Sequence, residues 1–320
     1  MNMEELKTAI SVSGLRKCFQ DKEVLKGIDF SVSSGTIYAL LGSNGAGKTT
    51  AVRILTTLLK ADSGKVEIAG YDVGKHPRKV HEIISLTGQF SAVDSVLTGK
   101  ENLIMMGELH HLSSPEKKAC ELLKYFGLSE DADKSVSVFS GGMKRKLDIA
   151  MSLVGNPKVI FLDEPTTGLD PQSRYSMWNM IRDLNHSGVT VFLTTQYLEE
   201  AEQLADIIAI LDQGSIIAEG TPEELKAYLP QGVIKLSFQD AENLERAKNL
   251  LKTYRMSMES EKRELLVFTD GKADTLAEIF YRLYKNKVSI QDFARLTPDL
   301  EDVFLAMIQE KGGESNGSLC

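Results

Sequence analysis

The chain has little that would tie it together covalently or anchor it in lipid. Its three cysteines, Cys18, Cys120 and Cys320, are far apart and in no C-x-x-C arrangement. That excludes a disulfide framework or a cysteine zinc site and reads as free thiols in a reducing compartment. Long apolar runs are missing too. Stretches such as Ile207 to Leu211 fall far short of the ~20 residues that span a bilayer, so any membrane role is expected to pass through a partner. Positive charge is in deficit. With 37 Lys and Arg against 45 Asp and Glu the formal net charge is -8, which argues against a nucleic-acid-binding surface. The short run Lys144-Arg145-Lys146 is expected on a solvated helix face. Met1 to Lys7 is polar and acidic, unlike a secretion signal. His110 and His111, the only adjacent histidines, read as solvated side chains and not as ligands.

What is present is enough apolar sequence, 42% of 320 residues, for about two domains. Up to about residue 228, short apolar runs alternate with helical patterns, the mark of a mostly parallel sheet flanked by helices. Candidate strands are Ala9–Val12, Ile28–Val32, Ile37–Leu41, Val66–Ile68, Ile83–Leu86, Val159–Leu162, Val189–Leu193 and Ile207–Leu211. From about 93 to 155 helical patterns replace them, as in an all-helical insertion. Leu229-Pro230-Gln231-Gly232 reads as a linker. Beyond it, Leu236-Ser237-Phe238-Gln239-Asp240 is echoed by Leu266-Val267-Phe268-Thr269-Asp270, each followed by an amphipathic helix and a strand candidate, near Met256 and near Val288. Two βαβ units of this size predict a small ferredoxin-like α+β domain over 232–310, unless polar helix starts merely look alike. Residues 311–320 read as a disordered tail.

The chemistry begins at Gly42-Ser43-Asn44-Gly45-Ala46-Gly47-Lys48-Thr49-Thr50, which fits G-x-x-x-x-G-K-[ST]. An apolar strand pattern precedes it, and Ala51 to Leu59 continues it at helical spacing. Its glycines let several backbone N–H groups point into one concavity, and the helix adds its positive end. Lys48 can reach the outer phosphates of a nucleotide, and the Thr49 hydroxyl can ligate Mg²⁺. Val159 to Leu162 then delivers Asp163 and Glu164 to the carboxyl edge of the sheet. Asp163 would hold Mg²⁺, directly or through water, and Glu164 would take a proton from the attacking water. Ser140-Gly141-Gly142 opens another helix with free N–H groups and a hydroxyl, a second phosphate-binding surface. One protomer has no need of two; a head-to-tail dimer has.

These motifs, in this order, resemble the ATP-binding subunits of ABC transporters over at least residues 5–225. The resemblance implies an α/β fold of the P-loop ATPase type, ABC subclass, over residues 1–228, with the insertion as its helical subdomain. Ser140-Gly141-Gly142 matches the family signature, with Phe139 where leucine is commoner. Gln89 matches the glutamine that touches Mg²⁺ and senses the membrane partner. Thr167-Gly168-Leu169-Asp170-Pro171 matches the loop that crosses to the partner subunit. Phe19 falls where the family places a ring under adenine, although a lone aromatic also fits a core. Gln196 stands where most members have histidine. Its amide can still donate to the γ-phosphate but cannot carry charge. Gln196, Ser91-Ala92-Val93-Asp94 leading into Leu97-Thr98-Gly99-Lys100-Glu101-Asn102-Leu103, and a small C-terminal domain that closes on Leu300-Glu301-Asp302-Val303-Phe304 further resemble ATPase subunits of daunorubicin/doxorubicin-type resistance exporters, over nearly the whole chain. That implies an ATP- and Mg²⁺-dependent homodimer on a separate permease at the cytoplasmic face of the cell membrane, without nucleic acid. The alternatives are a soluble ABC ATPase and a nucleotide-sensing regulator.

Overall fold

A computed structural model of the chain describes residues 7–88, 92–228, 232–259, 262–296 and 299–304. Gln89, the linker residues 229–231, the tail 311–320 and Cys320 therefore lie outside the described residues. The chain divides into two units between Pro222 and Glu223, upstream of the expected boundary at 228.

The first unit opens with strands β1 (Thr8–Phe19), β2 (Lys22–Ser33) and β3 (Ile37–Leu41), then helix α1 (Lys48–Leu55). Strands β4 (Ser63–Ile68) and β5 (Tyr71–Asp72), helix α2 (Pro77–His81) and strand β6 (Ile84–Thr87) follow. The expected insertion is helical, with α3 (Gly99–Leu109), α4 (Pro115–Tyr125) and α5 (Gly141–Ser152). After it come β7 (Val159–Asp163), α6 (Pro171–His186), β8 (Thr190–Thr195), α7 (Leu198–Leu204), β9 (Ile207–Asp212) and β10 (Ser215–Gly220), and α8 (Pro222–Lys226) lies at the division.

These strands form two sheets. One is antiparallel in the order β2-β1-β4-β5; the other runs β10-β9-β3-β8-β7-β6, parallel except for its β10 edge. Every residue of β3, β7 and β8 is buried. That explains why they read as unbroken apolar runs: a central parallel strand is covered on both faces. Phe192 of β8 packs against Tyr38, Phe161 and Phe30, with ring centroids 5.5, 5.5 and 5.8 Å away. Phe30 belongs to β2, so this aromatic group joins the two sheets into one core.

Two local readings need correction. Helix α1 stops at Leu55 and does not run on to Leu59. Thr56 bonds its hydroxyl back to the Val52 carbonyl at 2.8 Å, Thr57 turns left-handed at φ 64, and Leu58 is left exposed. Strand β10 has no counterpart among the predicted strands. It follows a Gln213-Gly214 turn with φ of 45 and 85, the positive pair that a tight hairpin turn requires.

The second unit contains β11 (Gly232–Ser237), α9 (Ala241–Leu250), β12 (Arg255–Glu259), β13 (Glu264–Thr269), α10 (Ala273–Lys285) and β14 (Asp292–Leu296). Its sheet order β12-β13-β11-β14, antiparallel throughout, is that of the split βαβ fold. Gly232 begins a strand and is not part of a linker, and the last strand lies at 292–296, past Val288, which packs into the core. The echoed segments lie on neighbouring strands, with Leu236 opposite Leu265 and Ile234 opposite Val267.

Deleting the Phe192 ring would leave a hole where the two sheets meet. Phe192→Ala should cost about 3–5 kcal/mol, read as a lowered urea midpoint of the first unit.

Candidate functional site

The register of the central sheet assembles the site. Strand β3 pairs with β8 so that Leu41 lies beside Thr195, and β8 pairs with β7 so that Thr194 lies beside Asp163. The residues that follow these strand ends, Gly42, Gln196 and Glu164, therefore start from one edge. Gly42 N donates to Thr195 O at 3.1 Å, which fastens the phosphate-type loop to β8. A Cβ on Gly42 would press into the Leu211 carbonyl oxygen, so only glycine permits this approach. Gly45 and Gly47 turn the loop at φ 82 and 115. No acidic residue in the first turn of α1 offsets the positive end of that helix.

Lys48 is buried and folds back over the loop, with Nζ donating to Gly42 O at 2.7 Å and Ser43 O at 3.1 Å. The same nitrogen lies 3.4 Å from Glu164 Oε1. Asp163, also buried, accepts from the Thr194 hydroxyl at 2.5 Å and the Thr49 hydroxyl at 3.4 Å, both on Oδ1. Glu164 has a left-handed backbone, φ 49, which carries its side chain away from the strand direction. Its N–H donates to Thr194 O at 3.1 Å, and its Oε2 accepts from the Thr167 hydroxyl at 3.3 Å. Cation, hydroxyl and two carboxylates thus converge on the mouth of the loop. Gln196 is half-buried one residue beyond β8.

A second group lies at the start of α5. Ser140 is exposed and caps that helix, its Oγ accepting from Met143 N at 3.2 Å. Asp170 caps α6, accepting from Ser173 N at 3.0 Å and Ser173 Oγ at 2.6 Å. These bonds hold its carboxyl below the usual range. A Cβ on Gly142 would lie 3.0 Å from Ser173 Oγ, so the two turns face each other across a cleft of about 230 Å³. Phe19 ends β1, 44% exposed. Lys17 Nζ lies 5.5 Å above its ring, and Asp62 fixes that strand end by accepting from Lys17 Nζ and Cys18 N, both at 2.6 Å.

Two acidic or basic side chains escape a reading by composition. Arg145 is interior, not on the solvated face expected for 144–146. It bonds to Asp148 and to three backbone carbonyls. Glu200, one of a run of charged residues, is fully buried and accepts from the Thr166 hydroxyl at 2.7 Å and Trp178 Nε1 at 3.2 Å. The signal available for Arg145 and Asp148 is their i,i+3 spacing among apolar positions. His110 and His111 are exposed, as expected, and among the described residues no group of three or more His, Cys, Asp or Glu could hold a metal ion.

A family model described as ABC transporter matches residues 25–167. The daunorubicin resistance ATP-binding protein DrrA3 of Streptomyces coeruleorubidus is 44% identical over 300 residues, 93% of this chain and 95% of that protein. This chain belongs to the ABC transporter family. It is also 42% identical to the daunorubicin/doxorubicin resistance ATP-binding protein DrrA of Streptomyces peucetius over 304 residues, 93% of this chain and 92% of that protein. A solved nucleotide-free ATP-binding cassette from an ABC transporter superposes with a TM-score of 0.63 at 28% identity, covering 69% of this chain and 94% of the other. As an ABC ATPase the chain binds and hydrolyses ATP, and the family's subunits dimerise and work with a membrane partner. Among the described residues no helix is long and apolar enough to cross a membrane.

Burial pushes the Glu200 carboxyl up from its ordinary value, against the hydrogen bonds it accepts. A raised folded pKa means that the folded chain keeps a proton the unfolded chain has lost. Stability therefore falls as pH rises from about 4.3 through the raised value. Glu200→Gln keeps an acceptor for Thr166 and Trp178 but cannot ionise. Its urea midpoint should equal or exceed the parental one at neutral pH, and this slope should vanish; an unchanged slope would assign it to another group.

Proposed function

We propose that this chain is the ATPase subunit of an exporter for drug-like or other amphiphilic molecules. Two copies would act head to tail on a separate permease at the cytoplasmic face of the membrane. The observation that carries this reading is similarity to resistance ATP-binding proteins along 93% of the chain, which extends beyond the catalytic unit into the second one. Residues 232–310 would then support assembly or regulation, with catalysis confined to residues 1–228.

In the proposed site, backbone N–H groups of the loop that runs from Gly42 to Thr50, beyond the Gly42 N–H that is bonded to Thr195, and the positive end of α1 hold the phosphates, and Lys48 Nζ meets the outermost one. Phe19 offers its exposed ring to adenine. Thr49 and Asp163 present two oxygens near one point, a donor set that suits magnesium completed by phosphate and water oxygens; Gln89 is the third proposed ligand. When bound, the ion neutralises charge on the phosphate oxygens. Glu164 accepts the proton of the attacking water, and the Gln196 amide donates toward the γ-phosphate. Ser140, Gly141, Gly142 and Asp170 close over the nucleotide held by the other subunit, which fits the exposed cap and the open cleft at that turn.

Losing a positioned base removes roughly 10²–10⁴ in rate. Glu164→Gln should therefore bind ATP normally, hydrolyse it at that reduced rate and accumulate as an ATP-bound dimer in size-exclusion chromatography with light scattering. Hydrolysis at the parental rate would remove Glu164 from the role of base.

Gln196→Ala deletes one hydrogen bond to a charged group, worth about 1.5–3 kcal/mol. Turnover at saturating ATP should fall about tenfold to hundredfold, with nucleotide affinity kept. Gln196→His should remain active and gain an inflection near neutral pH, because imidazole titrates there and an amide does not. Unchanged turnover in the alanine variant, measured with the permease present, would make residue 196 a spectator.

A further inference from the structure

Glu164 carries a conformation that glutamate does not choose. At φ 49 it lies in the left-handed region, which costs a non-glycine residue free energy and persists only where its surroundings hold it. The carbonyls of the residue before it and of the residue after it are held by one side chain. Arg145 Nη2 donates to Asp163 O at 3.2 Å and Arg145 Nε donates to Pro165 O at 3.0 Å. The fork thus grips the carbonyl before Glu164 and the carbonyl after it.

The remaining bonds of Arg145 fix the guanidinium itself. Nη1 donates to Gly88 O at 2.7 Å and to Asp148 Oδ2 at 3.3 Å, while Asp148 Oδ1 accepts from Ala92 N at 3.2 Å. Both side chains are nearly fully buried. Burial works against the charge of each, and the carboxylates of Asp148, Asp163 and Glu200 offset this for Arg145. A buried ion pair is a poor source of stability compared with apolar residues of similar size, so stability alone is a weak reason for one here. A flat fork with five donors does, however, hold separate carbonyls from separate nitrogens at a fixed spacing, which a single ammonium nitrogen cannot.

We infer that Arg145 is the positioning residue for Glu164: it sets the backbone of the general base from helix α5. Arg145 touches neither nucleotide nor water in this scheme. Its bonds to Asp163 O and Gly88 O also steady the backbone beside two proposed magnesium ligands, but its main effect is assigned to Glu164, so the inference rests on the proposed role of that acid. It also has a directional consequence. Helix α5 is capped by Ser140, in the turn proposed to meet the other subunit's nucleotide, and Arg145 lies little more than one turn along it. A displacement of α5 on dimer closure would therefore move the carbonyls that aim Glu164 in the same protomer.

The test is a mutant cycle on the full chain. Arg145→Lys keeps the charge and loses the fork. Its kcat should fall roughly a hundredfold, the scale set by an ångström of misplacement, with KM for ATP and fluorescent-nucleotide affinity kept. In a Glu164→Gln background the same substitution should cause a much smaller loss, because most of its effect runs through that side chain. Arg145→Met/Asp148→Asn removes both buried charges and keeps an acceptor for Ala92 N–H; it should match the parent in urea unfolding and still be slow. Parental kcat in either Arg145 variant overturns the inference, as does an equal loss in the Glu164→Gln background. Should Glu164→Gln alone run at the parental rate, it is the reading of Glu164 that fails, and the two outcomes are distinct.

Discussion

Everything in the first unit hangs on the parallel hydrogen-bond ladder that joins β3, β8 and β7. Because Leu41 lies beside Thr195 and Thr194 beside Asp163, three loops leave the sheet from one edge. A shift of one residue in either pairing would turn every side chain of a strand to the opposite face. Asp163 would then point away from Thr49 and Thr194, and the apolar residues of the strand would exchange their packing partners. The packing of Phe192 against Tyr38, Phe161 and Phe30 resists that slip, so a core of aromatic rings fixes where the polar groups emerge. Core and site are two consequences of one register.

The parts legible in the sequence are those in which one residue type has one physical use. Ile37–Leu41 and Val159–Leu162 are unbroken apolar runs because both faces of those strands are covered. Gly42 is glycine because the Leu211 carbonyl leaves no room for a Cβ. The loop motif, the acid pair and the Ser140 turn are local in sequence and so carry their meaning with them. Arg145 and Glu200 are opaque for the opposite reason. Each sits in a stretch of charged residues whose other members reach solvent, and only the packing of helix on sheet decides which one turns inward. Apart from Asp148, what Arg145 bonds to lies at residues 88, 163 and 165, too far along the chain for any window to connect. In the second unit the repeat is legible because its two halves are adjacent strands of one sheet, while the position of β14 depends on pairing with β11 and not on its own pattern.

Glu164 also shows what the fold asks of a residue apart from the reaction. At φ 49 the backbone alone would be better served by glycine or asparagine. With Glu164 as the base proposed above, selection for stability and selection for turnover pull this position in opposite directions. In a lineage freed from the need to hydrolyse, mutational drift toward a small residue here would make the subunit sturdier while silencing it. A glutamate in this left-handed turn thus spends backbone stability on a carboxylate, the exchange that the proposed role would require.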